Sequence, residues 1–359
     1  MQDFLIGKYN NMLINYYYDN LNAQEQDAYT AIKNALLSNE QECNVPNCHY
    51  SSEDITRIWS AVVLEHPEII HYPGLFCVPS VSGNTITIRL EYSNVDYTLF
   101  QTRLDRIIDE IERQLPSNAS DYLVCKKIYD KLASIVKYDS QVLDDYLRLE
   151  SSNPSRHDLV AFMTERSAAF TPYGILINSQ GVCQGIAKLY KIMCDKFGVQ
   201  CACVEAKTND SNEYPHMLNV VEISGKRAFV DVTNGLKTGV KGLPLVRYDY
   251  FLASTRIYLK SYRANIDFEC NDETINYYSK NRVWFNSFDE IRRYLCSYTV
   301  SSTNGEVRCY YDGNALNDKQ LGEHFSEILT SHCQDGFRLK GYYVKNGFCI
   351  GLITNDVED

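Results

Sequence analysis

The chain has 359 residues, 45% of them hydrophobic, and a formal net charge of −11 with the acid spread along its length. That content is enough for one substantial core and a smaller second one, which points to two or three domains and excludes a disordered chain. The charge argues against nucleic acid and anionic membrane as partners, since both reward clustered Lys and Arg, and no stretch approaches the ~20 apolar residues of a membrane span.

In chain order, Asn22-x-x-Glu25 is a capping pattern that starts a helix running to Leu37, and a second helix spans Glu53 to Glu65, stopping before His66-Pro67. Leu75 to Val81 and Thr85 to Tyr92 alternate around Gly83-Asn84 as a hairpin. Helices follow at Tyr97 to Gln114 and Asp121 to Tyr138, then a mixed region with a short helix at His157 to Ser167 and a loop through Thr171-Pro172-Tyr173-Gly174. Behind Cys183, the residues Ile186, Leu189, Tyr190, Met193 and Phe197 recur at helical spacing until Gly198, which predicts a helix with one buried face. Cys201 and Cys203 read as inward positions of the next strand. Beyond Leu259, Ser287-x-x-Glu290 caps a helix to Leu295, Asn304-Gly305 turns a hairpin, Asn317-x-x-Gln320 caps a helix to His332, and Asn346-Gly347 turns a second hairpin. The expected domains are a mostly helical N-terminal one with a β-hairpin at 1–118, a core at 119–262 and a small α+β one at 280–359.

Thirteen cysteines, odd in number and without a repeated spacing, together with an N-terminus that lacks a basic region followed by an apolar core, predict a reduced, cytoplasmic protein. Cys43-x4-Cys48-His49 and Cys201-x-Cys203 are poor zinc patterns, because structural sites show paired Cys-x2-4-Cys units; no metal and no cofactor is expected.

The chemistry concentrates in about fifty residues. Cys183 opens a helix, where unpaired backbone N–H groups carry partial positive charge and favour thiolate over thiol. His216 opens an apolar run to Ile223, Ser224-Gly225 is a two-residue turn, and Lys226 to Thr233 returns as a strand carrying Asp231. A tight turn pairs Ile223 with Lys226 and sets Leu218 opposite Asp231, so His216 and Asp231 become diagonal neighbours on one face. The three residues have the types a nucleophile, a base and an orienting carboxylate require. Asn178 and Gln180, just upstream, are candidates for lending an amide to an oxyanion hole beside the Cys183 N–H, and Gln184 and Tyr173 join them as groove candidates.

These residues carry a resemblance to a known family. Tyr173-Gly174-x-Leu176, Gly181-Val182-Cys183-Gln184-Gly185-x-Ala187, His216-x-x-Asn219-x-Val221, Val230-Asp231-Val232-Thr233 and Tyr248-x-Tyr250-Phe251-Leu252 resemble the motifs of the bacterial transglutaminase-like proteins in the papain-like cysteine-enzyme superfamily. Val136-Lys137-Tyr138-Asp139 also looks like the family's. The sequence departs from it at Ile186, where tyrosine is usual, and at Met217-Leu218, where Ala-Trp is common. The resemblance implies an α+β fold with a helix packed on an antiparallel sheet, and catalytic roles for Cys183, His216 and Asp231. It also implies a peptide or protein substrate.

Three function classes remain: an enzyme forming a thioester that is released by water (protease or amidase) or by an amine (transglutaminase), a non-catalytic binding or scaffold module, and a metal protein using the cysteines. Hydrolysis is preferred over acyl transfer, because water far exceeds any amine in concentration. The sequence is silent on substrate identity and oligomeric state.

Overall fold

In a computed structural model, the described residues are 13–355 apart from 14, 47–49, 75–78, 91, 238–244, 265, 267–268, 298–304, 315 and 333–336. The fold is α+β. Its centre is a five-stranded antiparallel sheet in the order Tyr262–Ala264, Gln200–Thr208, Pro215–Ile223, Lys226–Val230, Phe251–Ala253. The central hairpin has the expected register, Ile223 against Lys226, closed by Ser224 (φ 53°) and Gly225 (φ 75°). Two consecutive positive φ values match the twist of the flanking strands, so the tight two-residue turn is the one this dipeptide favours.

Helix Cys183–Lys196 packs on this sheet, and it is buried on nearly all sides rather than on one face: even Lys188 and Lys191 are covered. Helix Asp121–Ile135 covers it from behind, and Asn219 crosses from the sheet to donate its amide to the Ala187 carbonyl at 3.0 Å. A buried amide bonded to backbone sets the distance between helix and strand more firmly than apolar contact, because leaving it unmet costs about 1–3 kcal/mol.

Two further units surround this centre. Residues between Leu21 and Leu90 bury a cluster of their own beneath helices Ala23–Leu37 and Ser52–Glu65, which start with capping boxes at Asn22 and Ser51, and a small sheet of Glu42–Pro46, Thr85–Arg89 and Pro79–Ser82. Helix Tyr97–Glu112, grouped from sequence with that segment, instead buries Phe100, Leu104, Ile108 and Ile111 in the central core. At the other end a four-stranded sheet in the order Trp284–Phe285, Gly305–Tyr311, Phe348–Asn355, Phe337–Lys345 carries helices Phe288–Ser297 and Asp318–His332, and its apolar residues continue the central cluster. The caps at Ser287 and Asn317 and the turn at Asn346-Gly347 stand where the sequence puts them. The hairpin expected at Asn304-Gly305 falls partly outside the described residues; Gly305–Tyr311 itself pairs with Phe348–Asn355. Among the described residues no helix is long and apolar enough to cross a membrane.

Four local expectations are corrected. Helix 121–138 ends at Ile135, because Val136 turns extended (φ −91°, ψ 139°) and Lys137–Tyr138 pairs in parallel with Gln180–Gly181. Helix Ser140–Ser151, capped by Asp139, fills part of the region read as mixed. The supposed loop at 171–174 starts helix Pro172–Asn178, with Thr171 as cap and proline at the first helical position, both favourable placements. The strand after Gly225 ends at Val230, and Asp231 caps the short helix Val232–Gly235.

Gly181 fixes the approach to the cysteine. A Cβ there would lie 2.4 Å from Ile175 Cδ1 and 2.5 Å from the Ala169 carbonyl oxygen, and backbone cannot yield as a side-chain tip can. Gly181→Ala is therefore expected to cost about 1–3 kcal/mol through overpacking, read as a lower midpoint in chemical denaturation.

Candidate active site

Cys183 begins its helix behind Val182, which offers no side-chain cap, so the field of the first-turn N–H groups is not met by a capping oxygen. The His216 ring and the Tyr138 hydroxyl both lie close enough to the Cys183 thiol to act on its ionisation. His216 Nε2 donates to Asp231 Oδ2 at 2.7 Å, which leaves Nδ1 toward the sulfur. Asp231 accepts two further bonds, from the Asn234 backbone N–H at Oδ1 (3.1 Å) and from Asn234 Nδ2 at Oδ2 (2.6 Å). The Asn234 amide also donates to the Tyr262 hydroxyl at 2.7 Å. From behind, the buried Tyr129 hydroxyl donates to the carbonyls of Arg247 (2.7 Å) and Asp231 (3.3 Å), holding the turn that carries the carboxylate.

The side chains of His216 and Asp231 are 8% and 1% exposed, so their charges act on each other with little solvent screening. Burial pushes the His216 pKa down, but the Asp231 charge and hydrogen bond, with the Cys183 contact, outweigh it and raise it to about 10. For Cys183, burial favours the thiol, and the His216 hydrogen bond and charge reverse this, holding the group below its ordinary value. Burial also works against the Asp231 carboxylate, yet His216 and Asn234 keep it lower than a usual carboxyl. Tyr138 stays protonated far above the ordinary tyrosine range, through burial first and the neighbouring Cys183 charge second. Together these directions favour a thiolate–imidazolium pair at neutral pH.

The pair lies in a cleft of about 730 Å³ between the N-terminal unit and the centre, lined by Trp59, Tyr146, Phe170, Gln184, Glu205 and Met217 among others. Arg263 and Glu213, paired at 2.8 Å, stand at its rim. The Gln184 amide and the buried Lys188 amine both donate to the Pro73 carbonyl (2.6 and 3.3 Å), which seats the N-terminal unit against the cysteine helix.

Three sequence-derived candidates lie elsewhere. Asn178 and Gln180 are exposed outside the cleft lining, and Tyr173 stacks on Phe100 with centroids 6.4 Å apart. They end up there because residues 172–178 coil into a helix that turns its polar end outward. Gln184 does line the cleft, with its amide committed to Pro73. Tyr138, Asn234 and Tyr262 escaped the sequence reading. Tyr138 had a signal: Asp139 caps the following helix, so the residues before it must be extended and cannot finish the preceding helix. Asn234 and Tyr262 had none, since their roles depend on the turn after Val230 and on an edge strand.

Among the described residues no group of three or more His, Cys, Asp or Glu could hold a metal ion. Cys201 and Cys203 are both buried in their strand, and Cys48 and His49 lie outside the described residues.

No protein-family model and no curated protein matches the chain. Several solved structures are similar to it, among them the following three. The first is a TGase at 16% identity and TM-score 0.30, covering 46% of this chain and 45% of that one, so the chain spans under half of its length. The second is a candidate cysteine protease of Cytophaga hutchinsonii at 14% and 0.26, covering 54% and 70%. The third is a candidate protease of Parabacteroides distasonis at 8% and 0.25, covering 79% and 62%. Likeness of this size assigns no activity, and the functional reading rests on the site's own geometry.

Proposed function

We propose that the protein is a cysteine-dependent acyl-transfer enzyme with a papain-like, transglutaminase-like core, acting on a peptide or protein carbonyl as a protease or amidase. The observation that carries this is the buried 2.7 Å bond from His216 Nε2 to Asp231, on a ring that shares its cleft with, and acts on, a thiol at an uncapped helix start. In this reading the Cys183 thiolate attacks the carbonyl carbon, and the developing oxyanion takes hydrogen bonds from the Cys183 backbone N–H and the Tyr138 hydroxyl, donors fixed before charge appears. The imidazolium then gives its proton to the leaving amine, the C–N bond breaks, and a thioester remains. His216, now neutral, takes a proton from the incoming water, and hydrolysis restores thiolate and imidazolium.

Tyr138→Phe removes one oxyanion donor without changing side-chain shape and is expected to lower kcat by roughly 10²–10³; an unchanged kcat removes Tyr138 from the reaction. The reaction type is tested by incubating the protein with a library of Gln-containing peptides and protein fragments, with and without a labelled primary amine. Hydrolysis products exceeding amine incorporation support this reading. Amine incorporation in excess makes the protein a transglutaminase. Neither product, with Cys183 demonstrably reduced, makes it a non-catalytic module on the same fold.

A further inference from the structure

The imidazole of His216 does not stand alone in its pocket. It forms one end of a stack of four rings. Tyr262 lies on its face with centroids 4.8 Å apart and planes at 19°, Tyr258 backs Tyr262 at 5.0 Å and 15°, and Phe229 backs Tyr258 at 4.4 Å and 18°. Tyr262 comes from the edge strand Tyr262–Ala264, whose register sets it against Thr208, two residues from the Ala206 that faces His216. The Tyr262 hydroxyl meets the same system from its other side, accepting the Asn234 amide whose second N–H goes to Asp231. One tyrosine thus touches both members of the His216–Asp231 pair, the first through its ring face and the second through Asn234.

Resting on the acyl-transfer reading, we infer that Tyr262 is a positioning residue that selects the imidazolium form of His216 through its ring face and so sustains the Cys183 thiolate. The face of an aromatic ring is negative and attracts a cation within about 6 Å of its centroid, whereas a neutral imidazole gains only stacking. The preference is strongest where water is excluded, and Tyr262 is 9% exposed. The other titratable groups around the pair are Asp231, Cys183 and Tyr138, with Tyr250 and Tyr258 behind the stack and Glu150, Glu205 and Lys207 in the cleft lining. Arg263, also in the lining, is paired with Glu213, and the ring stacked on the imidazole face is that of Tyr262. The hydroxyl has the separate task of orienting the Asn234 amide.

The test separates ring charge distribution from ring shape. Tyr262→Phe keeps the stack. Pentafluorophenylalanine at position 262 keeps the shape but reverses the sign of the ring face, and Tyr262→Leu removes the stack. For each folded variant, checked by thermal melting, the pH dependence of Cys183 alkylation by iodoacetamide is measured by mass spectrometry, and the His216 ring is titrated by NMR. The Phe variant loses the hydroxyl that orients Asn234 and so sets the baseline for the pentafluoro variant, which lacks it too. Relative to the Phe variant, the pentafluoro variant is expected to move the acid limb of alkylation up, and the His216 inflection down, by about one pH unit. The Leu variant, if it folds, is expected to move the same way. Coincident curves for the Phe and pentafluoro variants, with a wild-type limb well below that of an ordinary thiol, would overturn the role of Tyr262 alone. A wild-type Cys183 that titrates as an ordinary thiol would overturn this inference together with the reading it rests on.

Discussion

Cys183→Ala is expected to abolish acyl turnover, by about six orders of magnitude in kcat, because the members of a nucleophile-base unit act together and little survives loss of the nucleophile. The thermal midpoint is expected to change little, since alanine at a helix start carries good intrinsic propensity and the cavity left by one sulfur is small. Turnover assays paired with thermal melts check this. Cys203, in the same apolar cluster, is no substitute: burial holds it as a thiol, raised to about 12, and its sulfur meets the Asn219 amide.

The second large effect belongs to Asp231→Asn, expected to lower turnover by about 10⁴ while the fold persists. The Asp231 carboxylate accepts three bonds, from His216 Nε2, the Asn234 backbone N–H and Asn234 Nδ2. An asparagine offers one oxygen in place of two, so its NH₂ must face a donor. If it faces His216, the ring has to take the tautomer with its proton on Nδ1, pointing at Cys183, where a base is needed. If it faces Asn234, the cap of helix Val232–Gly235 is lost. In both cases the His216 pKa falls from about 10 toward its ordinary value, because the charge that raises it is gone. The pH profile follows from the signs. In the wild type, activity is expected to rise as Cys183 ionises, below the ordinary thiol range, and to decline as His216 loses its proton near pH 10. In Asp231→Asn both limbs close toward each other. A variant with wild-type kcat and an unshifted basic limb contradicts the role given to Asp231.

How much of this was legible in the sequence depends on what fixes each residue. The facing of His216 and Asp231 was readable because Ser224-Gly225 permits one tight turn, and a period-two ladder then carries the register four residues outward to Asn219 against Val230, the residue before Asp231. The helix behind Cys183 was readable from its apolar spacing, although its burial on all sides was not: Lys188 and Lys191 look like solvent positions until the N-terminal unit and the Asp195 carboxylate are seen to cover them. Asn178 and Gln180 stand outside the cleft although they are near Cys183 in sequence, because Asn178 ends helix Pro172–Asn178 and Gln180 is an exposed position of the short strand that pairs with Lys137–Tyr138. Tyr262 approaches the histidine from 46 residues away through a sheet pairing that no local pattern announces, whereas Tyr138, 45 residues before the cysteine, stood beside the helix cap Asp139 with no role attached. The boundary of the N-terminal unit is blurred for the same reason, since the amphipathic helix Tyr97–Glu112 shows that it has an apolar face but not which core that face joins.

The account stands on Cys183 being a thiolate paired with His216. The most direct measurement is substoichiometric iodoacetamide labelling of the intact protein at pH 6 to 7, resolved by cysteine with mass spectrometry, in the wild type and in His216→Ala. Cys183 is expected to be labelled first and to lose most of that reactivity in the variant, because the partner cation that holds the thiolate is gone. Labelling spread evenly over several cysteines, or a Cys183 rate indifferent to His216, would contradict the account.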